Sequence, residues 1–215
     1  VWSQLATRYA DQPDSLVFEL LNEPHGQLDA DAWNALFPKL LAVVRASNPT
    51  RNVVIGPTRW NSFRELDSLQ LPADDRHIIA TFHYYEPFDF THQGASWVEP
   101  QFSRLRDVPF GTPEQVEQIG RDFDVVKAWS LEHDRPVLLG EFGAYDKAPM
   151  DSRVRCTDAV ARAAAERGFA RAYWQFSSDF LLYDFERQQW VEPILLALVP
   201  VAPAIDLNGK AAPNK

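Results

Sequence analysis

The chain has 215 residues, 46% of them hydrophobic and 13% aromatic, which suits one globular domain with a substantial core. A net charge of -9 and the lack of any Lys/Arg cluster argue against a nucleic-acid partner. No apolar stretch reaches the roughly 18 residues that span a bilayer, so we expect no membrane partner either. The single cysteine, Cys156, cannot form an internal disulfide and is expected to be a small core residue.

Five short apolar segments, rich in β-branched and aromatic residues, are typical of strands buried on both faces. They are residues 16–21, 52–56, 77–85, 136–143 and 169–176. Helical patterns lie between most of these segments. This alternation predicts a parallel sheet with crossover helices, which is an α/β fold.

The first two helical patterns lie in residues 1–11 and 29–47. The apolar face of the first comprises Val1, Trp2, Leu5 and Tyr9. The apolar stripe of the second comprises Trp33, Leu36, Phe37, Leu40, Leu41 and Val44. Pro38 interrupts this stripe and predicts a kink or a restart, because proline lacks an N–H and clashes with the preceding turn.

The last two helical patterns have clear ends. Thr112 and Gln115 match a capping box, and the helix that follows presents one apolar face. That face comprises Val116, Ile119, Phe123 and Val126. Residues 151–167 form the other helix, which Gly168 is expected to end. The tail from Pro200 onward, rich in Pro and Ala, is expected to fray.

Polar and aromatic side chains follow each predicted strand at the point where it ends. They are Asn22 and Glu23, Trp60 and Asn61, His83 and Tyr85, Glu141, and Trp174, in strand order. Because the carboxyl ends of parallel strands meet at one rim, we expect these side chains to converge. Two carboxylates from different strands are what glycoside hydrolysis requires, and aromatic faces suit sugar rings. The pattern therefore predicts a carbohydrate-cleaving site.

Four motifs carry a family resemblance. They are LNEP at 21–24, HYYEPFDFTHQGASW at 83–97, GEFGAY at 140–145 and AYWQF at 172–176. In this order they resemble glycoside hydrolase family 5, the cellulase family, and especially its bacterial endoglucanases. The resemblance implies a (β/α)8 TIM barrel and a retaining mechanism that cleaves internal β-1,4-glucosidic bonds of cellulose or related β-glucans. It implies no cofactor, and the expected partner is a β-linked polysaccharide or oligosaccharide.

The resemblance also implies roles for individual residues. Glu23 would be the acid/base at the end of the fourth barrel strand, and Glu141 the nucleophile at the end of the seventh. Asn22 would bind the sugar 2-hydroxyl, and Tyr85 would donate a hydrogen bond to Glu141. His83 would help hold the leaving-group side.

Aromatic and polar residues around this pair are expected to bind substrate. Trp174 would stack on a bound sugar. The residues expected to extend the cleft are Trp60, Asn61, His92, Gln93 and Trp97. A metal site formed by His83, Asp89 and His92 is not expected, because their spacing matches no strong metal motif.

The Asn-Glu-Pro motif arrives on the first strand here, whereas the family carries it on the fourth. The resemblance therefore implies that only about the last five strand-helix units, strands 4–8, are present, with residues 1–11 as the helix before the fourth strand. Residues 1–199 would form a partial catalytic domain, and residues 200–215 a C-terminal tail. Such a fragment is expected to expose both sheet edges and to be nearly inactive alone, whereas the complete enzyme would be a secreted or periplasmic monomer.

Two alternatives stay open. The enzyme could be a β-mannanase or a broader β-glucanase of the same family, since the contacts that decide this cannot be read from the motifs. The chain could also be a non-catalytic carbohydrate-binding or inactive fragment.

Overall fold

The computed structural model describes residues 1–199, and the predicted tail at 200–215 lies outside this range. The strands are β1 (Phe18–Glu19), β2 (Val53–Ile55), β3 (Ile78–Tyr84), β4 (Val137–Phe142), β5 (Ala170–Arg171), β6 (Tyr183–Asp184) and β7 (Gln189–Trp190). The helices are α1 (Trp2–Arg8), α2 (Ala30–Arg45), α3 (Thr58–Asn61), α4 (Phe88–Thr91), α5 (Pro100–Ser103), α6 (Pro113–Glu132), α7 (Met150–Glu166) and α8 (Glu192–Leu198), with a 3-10 turn at Phe63–Ser68. None of the helices in residues 1–199 combines the length and apolarity needed to cross a bilayer.

The predicted parallel sheet is present. Strands β1 to β5 form one five-stranded sheet in sequence order, and all of its pairings are parallel. The outermost strands, β1 and β5, are much shorter than the segments predicted for them. Each has a single strand neighbour in the described part of the chain, and only two residues of each enter the ladder. A separate antiparallel hairpin joins β6 to β7.

Helix α2 runs without interruption through Pro38, so the expected restart does not occur. Asp29 caps its start by accepting a hydrogen bond from the Ala32 N–H. Pro38 lies on the exposed side, where the proline costs one backbone hydrogen bond but does not disturb the buried stripe. That stripe comprises Trp33, Phe37, Leu41 and Val44. Its packing on the sheet keeps the helix continuous.

The face predicted for α1 is largely wrong. Val1, Leu5 and Tyr9 are exposed, whereas Ala6 is buried and Trp2 packs against the core. The Trp2 indole N–H donates to the Leu20 carbonyl at 3.0 Å, which fixes the side of the helix that meets the sheet.

Helices α6 and α7 follow the predicted signals closely. The Thr112 side chain accepts from the Gln115 N–H and the Gln115 side chain accepts in return, which completes the capping box. Ile119, Phe123 and Val126 are buried, but Val116 is 43% exposed because it lies in the first turn, beyond the core. Gly168 has φ of 73° after α7, where a left-handed residue ends the helix. Cys156 of α7 is buried, and burial raises the pKa of its thiol to about 12.

One face of β1 is open. Phe18 and Leu20 pack against the core, whereas the alternate residues Val17, Glu19 and Leu21 are exposed. Because successive side chains of a strand point to opposite faces, these three lie on the same side of the sheet.

Candidate active site

Two left-handed turns place the polar residues at the rim. Glu23, just after β1, has φ of 51°, and residues 59–61 have φ of 53°, 60° and 55°. The Trp60 N–H donates to the Pro24 carbonyl at 3.3 Å, so the two turns support each other. Left-handed backbone is costly for residues other than glycine and tends to occur at functional sites.

A bulge between β3 and β4 brings two site residues together. The pairing of Phe82 with Leu139 is followed by the pairing of His83 with Glu141, so β4 contributes one extra residue at this point. A bulge re-aims the side chains around it. Gly140 is the extra residue, and a Cβ there would lie 3.2 Å from the His83 ring.

His83 lies between the two glutamates. Its Nδ1 is 2.7 Å from Oε1 of Glu23 and 3.4 Å from Oε2 of Glu141. The Tyr85 hydroxyl donates to the same Glu141 oxygen at 2.9 Å, which is the contact expected for it. One oxygen from each glutamate and the His83 nitrogen all lie within 4.8 Å of one another. Glu23, His83, Glu141 and Tyr85 thus form one chain of polar contacts, which we call the carboxylate chain.

The environment of Glu141 favours its neutral form. Burial raises the pKa of Glu141 above its ordinary value, and the negative charge of Glu23 adds to the effect. The His83 ring and the Tyr85 hydrogen bond act in the opposite direction. Burial and the Glu141 charge in turn raise the pKa of the Tyr85 phenol, which therefore stays a hydrogen-bond donor.

A cleft of about 700 Å³ opens beside the carboxylate chain. Of the predicted site residues, Glu23, Trp60, His83, Tyr85, His92 and Trp97 line it. Glu141 does not line the cleft; its side chain is 13% exposed and contacts two residues that do, Tyr85 and His83. The lining thus combines acidic, aromatic and imidazole groups of the kind that bind a sugar chain.

Two exposed indoles flank the cleft. Trp60 is 55% exposed and stacks on His25, with ring centroids 4.8 Å apart. Trp97 is 53% exposed and meets the edge of Tyr145 at 5.0 Å. Because each ring is held by a second aromatic residue, both present a fixed flat surface.

His92 belongs to the cleft lining but is itself buried. Its ring stacks on Phe88 at 4.0 Å and meets Tyr85 edge-on at 5.0 Å. Burial lowers the pKa of His92 to about 4, so the ring is neutral at ordinary pH. It supports the two aromatic residues that form the cleft wall.

Two residues expected to contact substrate are occupied elsewhere. Asn61 is fully buried and its amide nitrogen lies 3.1 Å from Nε2 of His83. Gln93 is also fully buried, donating to the Phe90 and Val108 carbonyls and accepting from the Val108 N–H, each at 3.0 Å. These contacts leave neither side chain free to face the cleft, so both expectations need correction.

Asn22 and Trp174 lie at the rim but outside the cleft wall. Asn22 is exposed next to Glu23, and Trp174 is 41% exposed after β5. The Trp174 N–H donates to the Phe142 carbonyl at 2.9 Å. Gly143 permits this approach, since a Cβ there would collide with the Trp174 carbonyl.

The side chains of Glu23, His83 and Glu141 are close enough together to hold a divalent cation. The hydrogen bonds within the carboxylate chain already explain why they are so close. In residues 1–199, His83, Asp89 and His92 do not form a group of this kind.

Several site residues escaped the sequence reasoning. Glu19 lies near the carboxylate chain. Its side chain is on the open face of β1, but the protein around it still removes part of its water and so raises its pKa; His83 opposes the rise, and Glu141 and Glu23 add to it. The sequence feature that could have revealed it is a charged residue inside an otherwise apolar strand. His25 and Phe88 hold other side chains in place, and their only signal was proximity to the motifs.

Comparisons with known proteins agree with this arrangement. A family model described as cellulase (glycosyl hydrolase family 5) matches residues 1–180. Endoglucanase H of Acetivibrio thermocellus is 35% identical over 205 residues, covering 92% of this chain and 21% of that protein.

Solved structures agree in backbone as well. A hyperthermophilic endo-β-1,4-glucanase in complex with substrate has a TM-score of 0.89 at 44% identity, covering 92% of this chain and 63% of that one. Cel5A of Thermotoga maritima in complex with mannotriose has a TM-score of 0.88 at 39% identity, covering 92% and 64%. The chain therefore spans less than two thirds of the length of these relatives.

Proposed function

The chain belongs to glycosyl hydrolase family 5, and from this premise we propose that it carries the retaining catalytic centre of an endo-β-1,4-glucanase. The observation that supports this most is the carboxylate chain, in which Glu23 and Glu141 come from different strands and share His83. A pair of glutamate oxygens within 4.8 Å favours direct attack by a carboxylate, because an inverting enzyme needs a wider gap for water.

In the first step, Glu141 attacks the anomeric carbon while Glu23 gives its proton to the departing glycosidic oxygen. The glycosidic bond breaks, and a glycosyl ester forms on Glu141. In the second step, Glu23 takes a proton from water, whose oxygen attacks the anomeric carbon and releases Glu141. Tyr85 holds the Glu141 oxygen by a hydrogen bond that favours the ionised, attacking form.

The substrate would lie along the aromatic cleft. Trp60 and Trp97 offer exposed rings in the cleft lining, and Trp174 offers another after β5. Asn22, which is exposed beside the proposed acid/base, would contact a sugar hydroxyl. An extended β-linked glucan presents apolar ring faces that suit exposed indoles.

The five-stranded sheet would be strands 4–8 of a (β/α)8 barrel, with residues 1–199 as a partial catalytic domain. The coverage of the relatives supports this proposal. The complete enzyme would act as a secreted or periplasmic monomer, and the chain alone would hydrolyse poorly because part of the rim is contributed by other strands.

Mannan is the second candidate substrate. The observation favouring it is that Thermotoga maritima Cel5A, a similar structure, is described in complex with mannotriose. A reducing-sugar assay on carboxymethylcellulose, lichenan, galactomannan and xylan distinguishes a glucanase from a mannanase.

The assay should compare the chain alone with the chain preceded by the first three strand-helix units of a related family 5 barrel. We expect glucan hydrolysis with retention of anomeric configuration in the extended protein. Inversion, or binding of glucan without cleavage by a folded extended protein, would contradict the proposal.

A further inference from the structure

Asn61 is a buried amide that touches no cleft surface. It is 0% exposed and follows β2 in left-handed backbone. Its Nδ2 lies 3.1 Å from Nε2 of His83, and its Oδ1 has no hydrogen-bond partner among the described residues. A buried polar group fixed in this way at a strained turn calls for an explanation.

The local packing fixes this pair. A Cβ on Gly56 would collide with the Asn61 Oδ1, and a Cβ on Gly140 would lie 3.2 Å from the His83 Nε2. Two glycines therefore make room for the amide and the ring. In this orientation the amide nitrogen has a partner, and only the amide oxygen is left without one among the described residues.

The contact decides where the His83 ring carries its proton. An amide nitrogen is a donor without a lone pair to offer, so Nε2 must face it as an acceptor. The ring proton is then on Nδ1, which lies 2.7 Å from Glu23 and 3.4 Å from Glu141.

We propose that Asn61 is a positioning residue that fixes the tautomer of His83, with Nε2 as an acceptor and the ring proton on Nδ1. The consequence for catalysis rests on the proposed role of Glu23. His83 donates to Oε1 of Glu23, which leaves the acid proton on Oε2. The only acceptor nitrogen of that tautomer, Nε2, faces Asn61 and not Glu23, so the ring does not take the acid proton and Glu23 stays competent as an acid.

The experiment measures which nitrogen of the His83 ring carries a proton, in the 215-residue chain labelled with ¹⁵N-histidine. Long-range ¹H–¹⁵N correlation spectra at neutral pH report whether each ring nitrogen carries a proton, and the His83 signals are assigned by their loss in His83→Gln. The variants are Asn61→Asp, which places an acceptor against Nε2, and Asn61→Gly, which removes the side chain. Both residues tolerate left-handed backbone, so neither adds strain there.

We expect Nε2 of the wild-type ring to be unprotonated, partly protonated in Asn61→Gly and fully protonated in Asn61→Asp. The ring of His133, at the end of α6, serves as the internal reference and should not change. A protonated Nε2 in the wild type, or an unprotonated one in folded Asn61→Asp, would overturn the proposal. The wild-type spectrum decides even where a variant fails to fold, and none of these measurements needs turnover, so they stand apart from the test of the proposed function.

Discussion

The Tyr85 hydroxyl donates a 2.9 Å hydrogen bond to Oε2 of Glu141, so a residue that follows β3 holds the carboxylate of β4. This bond lowers the pKa of Glu141, against the burial that raises it. Since the proposed nucleophile must be ionised, activity is lost as the pH falls through the pKa of Glu141.

Tyr85→Phe removes the hydrogen bond to Glu141 but leaves the Glu141 side chain as buried as before. The pKa of Glu141 should then rise further, and the acidic limb of the pH–rate profile should move to higher pH. The measurement is kcat/KM against pH in the extended protein described above. An unchanged acidic limb at unchanged rate would reduce Tyr85 to a packing residue.

Glu141→Ala should remove the attacking carboxylate and abolish turnover in the extended protein. A small anion such as azide or formate should restore part of it by entering the vacated space, giving a product of inverted configuration. Glu132→Ala, at the exposed end of α6, is the matched control and should keep full activity. Undiminished activity in Glu141→Ala would rule out its role as nucleophile.

Glu23→Ala should distinguish substrates by their leaving groups. General acid catalysis contributes about 10²–10⁴-fold, so hydrolysis of a glucan should fall by roughly that factor. Aryl cellobiosides whose phenol leaves without a proton should lose far less in the glycosylation step. Equal losses on both substrate types would mean that Glu23 does not supply the proton.

Gln93→Leu tests whether Gln93 stabilises the fold through its buried hydrogen bonds, in place of the sugar contact expected from the sequence. The leucine is similar in size but leaves the Phe90 and Val108 groups without their partners. One or more unpaired buried groups should lower the free energy of unfolding by about 1–3 kcal/mol, measured by urea denaturation. Gln101→Leu, on the exposed α5, should have little effect. A raised KM with unchanged stability would instead support the original expectation.

The sequence predicted the sheet well because its strands are apolar and its helices carry end signals. The capping box at Thr112 and the left-handed Gly168 depend on local chemistry, which sequence shows directly. Strand lengths at β1 and β5 were overestimated, since ladder pairing depends on neighbours and not on apolarity.

The candidate site was predicted in part for a similar reason. Convergence of Glu23, His83 and Glu141 follows from parallel strands ending at one rim. The burial of Asn61 does not follow, because it depends on left-handed backbone at Arg59 and Trp60, which such residues rarely adopt. Gln93 is buried by a loop that closes 15 residues later in sequence, and no local pattern reveals that contact.

Glu19 gives the last prediction, on stability against pH in the 215-residue chain. The surrounding protein raises the pKa of Glu19, although its side chain lies on the open face of β1, and Glu141 and Glu23 add to the rise. A carboxyl whose pKa is higher in the folded state binds protons more tightly when folded, so stability falls as the pH rises through that pKa. The ionised form therefore destabilises the fold at neutral pH, and the penalty disappears below the ordinary carboxyl pKa.

Glu19→Gln should accordingly raise the melting temperature at pH about 7, and this gain should shrink at pH about 4, where wild-type Glu19 is mostly protonated in both states. Glu132→Gln, at an exposed helix end, should show no such pH-dependent gain. The measurement is thermal unfolding by circular dichroism across this range. A gain that is equal at both pH values would mean that packing, and not charge, sets the effect, and a lower melting temperature at neutral pH would show that the Glu19 charge stabilises the chain.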